Sequence, residues 1–103
     1  MGALLFIVND DFEKEKDYGH IPDYILEPII EEAKKQSFTC LRYVLIYENT
    51  CFNSEQMEDI KKEIEILDSI FKDRQYKTVF RKILSAIEYA QKDPPLYLFF
   101  EGD

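Results

Sequence analysis

Apolar positions along the chain fall into two kinds of pattern, short continuous runs and stripes of helical period. Residues 3–8 form an unbroken apolar run closed by Asn9-Asp10-Asp11, which predicts a buried strand. Residues 9–20 mix acids with lysines and read as a polar loop, with Gly19 suited to a turn. Ile21, Ile25, Ile29 and Ala33 then recur every four residues, widened by Leu26 and Ile30, which predicts a helix beginning near Pro22. Pro28 falls inside that stripe, where a proline costs about 3 kcal/mol, so a kink or a helix starting at Pro28 is expected.

Residues 40–48 carry apolar side chains on both alternating faces: Leu41, Tyr43, Leu45 and Tyr47 on one, Val44 and Ile46 on the other. That pattern predicts a central strand covered on both sides. Met57, Ile60, Ile64, Leu67 and Phe71 follow a 3–4 spacing behind a cap at Asn53 or Ser54, and predict a long helix. Its outward side holds Glu55, Glu58, Lys62 and Glu65, while Ile66 and Ile70 are expected to pack against the next helix. That third helix is marked by Val79, Phe80, Ile83, Leu84, Ile87 and Ala90 and stopped by Asp93-Pro94-Pro95, ahead of a last strand over 96–100. The expected order is β-α-β-α-α-β: one α/β domain over 1–103, with a three-stranded, mostly parallel sheet packed between helices.

Composition narrows the function classes. With 46% hydrophobic residues in 103, the chain has enough core-formers to fold, so disorder is excluded. Against 13 Lys and Arg stand 21 Asp and Glu, a net charge of −8. Such a surface repels nucleic acid and anionic lipid and attracts basic partners. Cys40 and Cys51 form no C-x-x-C pair, and the apolar run from Leu4 to Val8 is too short for a signal segment or a membrane span. A cytoplasmic protein with reduced thiols is the expectation.

Catalytic patterns do not emerge. His20 is the single histidine, no serine sits in a G-x-S-x-G elbow, and glycines at 2, 19 and 102 cannot build a phosphate loop. Asn9-Asp10-Asp11 at a strand end resembles the acidic opening of response-regulator receiver domains, a resemblance that implies Mg²⁺. The phospho-accepting Asp of that family has no counterpart, since Glu48-Asn49 closes the second expected strand. No catalytic residue, metal or cofactor is expected.

The expected activity is binding. Asp10, Asp11, Glu13 and Asp17 lie close to Tyr18, Asp23, Tyr24 and Glu27, and carboxylates beside tyrosines suit a partner with a cationic groove. In size, acidity and compartment the chain resembles bacterial toxin-immunity proteins of the contact-dependent growth inhibition type. Tyr18-Gly19, Asp23 and Ile25 are similar to the Tyr-Gly-x-x-x-Asp-x-Leu skeleton of barstar-type ribonuclease inhibitors, although Ile21-Pro22 replaces that pattern's Asn-Leu. The resemblance implies a protein that neutralises a basic toxin, a nuclease above all, with Asp23 and Glu27 as contacts. A nucleic-acid mimic or adaptor of a phage or mobile element, a homodimerising module and a Mg²⁺-dependent enzyme stay open, as do oligomeric state and strand order.

Overall fold

The computed structural model describes residues 2–102. Strands β1 (Gly2–Val8) and β2 (Lys14–Pro22) form a hairpin, followed by helix α1 (Asp23–Lys35). A 3-10 turn (Leu41–Tyr43) and an irregular stretch lead to the short strand β3 (Asn49–Phe52). Helices α2 (Ser54–Ile70) and α3 (Arg74–Lys92) then precede β4 (Tyr97–Gly102). The sheet has four strands in the order β2-β1-β4-β3, and every neighbouring pair is antiparallel. The expected three-stranded, mostly parallel sheet between helices is therefore corrected on strand number, direction and layering.

Two segments produce that difference. Residues 14–20, expected as loop, and Ile21-Pro22, expected at the start of the helix, are a strand because the edge of β1 supplies their hydrogen bonds, from Gly2 opposite Pro22 to Val8 opposite Lys14. The turn between them is built by Asn9, whose Oδ1 accepts hydrogen bonds from the N–H of Asp11 (2.9 Å) and of Glu13 (3.0 Å). Phe12 takes a left-handed φ of 60° there. Residues 40–48, expected as the central strand, are instead the 3-10 turn and an irregular arm: β1 already pairs with β2 and β4. The short connection between α2 and α3 makes them antiparallel neighbours, so three reversals, β3 to α2, α2 to α3 and α3 to β4, return the chain to the sheet with β4 antiparallel to β3.

One core joins the sheet to all three helices. Leu5, Ile7, Leu98 and Phe100 point into it and meet the buried stripes Ile25–Ile29, Ile60–Ile64 and Phe80–Ile83. The alternate positions point away from the helices, where Phe6 stacks on Phe99 with ring centres 4.9 Å apart and Lys14 lies over Phe6. Helix α1 is continuous across Pro28, with no restart there. The carbonyl deprived of a donor is that of Tyr24, on the helix's exposed side where water can replace the bond. Asn53 caps α2 reciprocally with Gln56. Ile66 and Ile70 do not pack against α3; they are 44% and 41% exposed, because α3 lies along the Lys61–Asp68 flank instead.

Candidate protein-binding surface

The sequence of α1 divides its faces cleanly. Ile25, Leu26, Ile29, Ile30 and Ala33 are buried, which leaves Tyr24, Glu27 and Glu31 together on the outer face at i, i+3 and i+7. Tyr24 is 64% exposed. Pro22 occupies the cap position without a side-chain hydrogen bond, and Asp23 supplies the acid of the first turn.

The arm after the 3-10 turn lies beside this face. Its start is held by Glu63, a carboxylate on α2 that is only 5% exposed. Glu63 Oε2 accepts hydrogen bonds from the N–H of Thr39 and Cys40 and from the Thr39 hydroxyl; Oε1 accepts from the N–H of Leu41. Three backbone donors that a sheet would have satisfied are thus satisfied by one side chain. Beyond the turn, Val44 is buried and Ile46 half-buried, while Tyr43, Leu45 and Tyr47 face solvent at 58%, 46% and 68% exposure. Arg42 lies over the Tyr43 ring at 5.0 Å.

Between helix and arm runs an open groove of about 440 Å³, lined by Glu27, Ile30, Glu31 and Lys34 on one side and by residues 44–47 on the other. Lys34 sits 3.7 Å from Glu31, so one of the two acids retains its full field. The arrangement offers rigid aromatic contact area, an apolar floor and carboxylates. It can bind an extended basic surface, and it holds no nucleophile paired with a base.

The site residues expected from sequence separate into two groups. Gly2 pairs with Pro22 at one end of the hairpin and Val8 with Lys14 at the other, roughly 20 Å apart at 3.3 Å per residue. Asp23, Tyr24 and Glu27 lie at the first end. Asp10, Asp11 and Glu13 lie at the second, and Asp17 is exposed within β2. Asp10 accepts a hydrogen bond from the Tyr97 hydroxyl at 3.2 Å, which raises the Tyr97 pKa. Glu13 accepts from the Asn9 side chain, and Asp17 accepts from the N–H of Gly19. These acids are partly engaged in shaping their own hairpin.

Tyr18 and Asp23 are not presented as expected. Tyr18 is half-buried against α3, its hydroxyl 3.4 Å from the Ser85 carbonyl, and burial with the nearby Tyr89 and Glu88 raises its pKa. Asp23 is half-buried, and its Oδ1 is buried with no hydrogen-bond partner among the described residues. Tyr43, Leu45 and Tyr47 were missed because a strand reading buried the arm, and Glu31 gains its place only beside that arm. Arg42 was the available signal, since a central strand covered on both faces has no place for its guanidinium.

His20 is exposed on β2 opposite Leu4, and among the described residues no group of three or more His, Cys, Asp or Glu is placed to hold a metal ion. No helix among them is long and apolar enough to cross a membrane. Cys40 is buried and Cys51 exposed, both as free thiols. The chain matches no protein-family model, no curated protein and no solved structure.

Proposed function

We propose that this protein is an inhibitory binding protein of the immunity type, acting in the cytoplasm on a basic protein toxin whose nuclease surface it covers. The observation that carries this reading is the exposed surface of α1 and the arm. There Tyr24, Tyr43, Leu45 and Tyr47 stand out from the fold beside Glu27 and Glu31. These tyrosines are mostly exposed, and tyrosine is enriched among the residues that anchor protein interfaces. The acids beside them, within a field of −8, favour a cationic partner and speed its approach. Binding needs only these side chains and no cofactor.

The test uses a purified basic nuclease domain encoded by a reading frame adjoining this protein's gene. Calorimetric titration at low and at high salt should show one-to-one binding that weakens as salt rises, with nuclease turnover falling in proportion to occupancy. A nuclease that neither binds nor loses activity removes the proposal.

A further inference from the structure

Along the groove between α1 and the arm the charges do not cancel. Glu27, Glu31 and Lys34 line its helix side, all three exposed. Lys34 pairs with Glu31 at 3.7 Å, whereas the Glu27 carboxylate makes no ion pair or hydrogen bond among the described residues. One negative charge is thus left over. On the arm side stands Tyr47, 68% exposed, and between the two sides lies an apolar floor of buried Ile30 and Val44 with half-buried Ile46. At about 440 Å³ the groove falls in the range of small-ligand sites, roughly 300–1,000 Å³.

We infer that this groove is an arginine-reading subsite: it takes one guanidinium of the partner between Glu27 and Tyr47, with an aliphatic neighbour of that arginine on the floor. The inference rests on reading the α1–arm surface as the place where a partner docks, and it names the side chain that docks there. Count selects a single cation, since one carboxylate is uncompensated. The floor selects its kind. An ammonium is strongly hydrated and loses that water beside Ile30 and Val44, while a guanidinium is weakly hydrated and keeps hydrogen bonds along its edge. Its flat face can lie on the Tyr47 ring while its edge donates two hydrogen bonds to the Glu27 carboxylate. The fold already uses the same stacking next door, where the Arg42 guanidinium lies over Tyr43 at 5.0 Å. Lys34 keeps a second cation away from Glu31 and so fixes which carboxylate is read.

Two capped tripeptides of equal charge, Leu-Arg-Leu and Leu-Lys-Leu, titrated into the isotope-labelled full chain and followed by amide NMR shifts, test this. The arginine peptide should bind about fivefold or more tighter than the lysine peptide, with shifts centred on 27–34 and 44–47. Glu27→Gln should weaken the arginine peptide by about fivefold or more. Glu65→Gln, an equal loss of charge on α2, should change it by less than about twofold. Tyr47→Leu keeps an apolar surface and should bring the two peptides to within about twofold of each other. All three positions are exposed, and thermal melts confirm the folding of each variant. No binding at millimolar peptide, equal affinities, or shifts centred elsewhere overturn the inference, as do Glu27 and Tyr47 variants that leave the preference intact. Groove shifts that follow protein concentration without peptide would place a second copy there and overturn it too. The nuclease takes no part, so loss of the immunity reading leaves a positive result standing, and a negative one leaves the nuclease titration to be judged on its own.

Discussion

Glu63 Oε1 accepts a hydrogen bond from the N–H of Leu41 at 2.9 Å, a contact between a helix interior and a turn 22 residues earlier in the chain. Through it and the bonds to Thr39 and Cys40, α2 fixes where the tyrosine-bearing arm begins. The fold and the proposed binding surface therefore share one buried carboxylate.

Glu63→Gln replaces one acceptor oxygen with a donor facing other donors, and Glu63→Ala leaves the buried amides with no acceptor. A loss of about 2–3 kcal/mol is expected for Gln and more for Ala, since hydrogen bonds to charged groups contribute roughly 1.5–3 kcal/mol each. Denaturant melts measure the loss. Hydrogen exchange should show faster amide exchange at 39–41 in the Gln variant while the middle of α3 keeps its protection; unchanged exchange at the turn would show that Glu63 does not hold it.

The two ends of the β1–β2 hairpin should separate in binding. Glu27→Lys with Glu31→Lys is expected to weaken binding of the basic partner by about 2–5 kcal/mol, mostly through the off-rate, if the carboxylates pair with desolvated charges. Asp10→Lys with Asp11→Lys makes the same change in net charge at the far end and should lower chiefly the on-rate. Stopped-flow kinetics of both variants decide the matter, and the opposite ranking would move the interface to the hairpin turn.

The two thiols should differ in reactivity. Cys51 is exposed, yet partial burial of its sulfur raises its pKa, so at neutral pH less thiolate is present and alkylation should run slower than for free cysteine. Cys40 is buried, and burial first, then Glu63 and Asp59, raises its pKa against an opposing hydrogen bond from Thr39. Mass spectrometry after native alkylation should find Cys51 modified and Cys40 modified only after unfolding. The melting temperature should be the same with and without reductant or chelator.

Gly102 and Gly19 should respond differently to alanine. A Cβ on Gly102 would stand 2.5 Å from the carbonyl oxygens of both Ile46 and Glu48, where the arm lies against the end of β4. Overpacking of this kind costs typically 1–3 kcal/mol, and the arm should loosen with it. At Gly19 the nearest atom is the end of Lys82 at 3.8 Å, so only the φ of +86° opposes the substitution, at about 1–2 kcal/mol. Thermal melts give the two losses, and hydrogen exchange over 44–48 should quicken for Gly102→Ala alone.

The sequence by itself determined the elements whose cause is local. The stripe Met57, Ile60, Ile64, Leu67 with Asn53 ahead of it reads as a helix and is one in the fold, and so is the stripe from Val79 to Ala90. The apolar run ending at Val8 is a strand wherever it pairs. Net charge and the want of a catalytic pattern are likewise properties of the chain alone. Tertiary structure decided whatever depends on a distant partner. Residues 14–20 are mostly polar and look like loop until the edge of β1 takes up their backbone groups. Residues 40–48 look like a strand until Glu63, whose carboxylate is invisible to any local pattern, satisfies their first amides instead. With that exchange Tyr43, Leu45 and Tyr47 pass from expected core to exposed surface, and Asp10 and Glu27, 17 positions apart in sequence, come to lie at opposite ends of a hairpin. Local periodicity fixes which way a side chain points from its own backbone; only long-range hydrogen bonding fixes what stands on the other side.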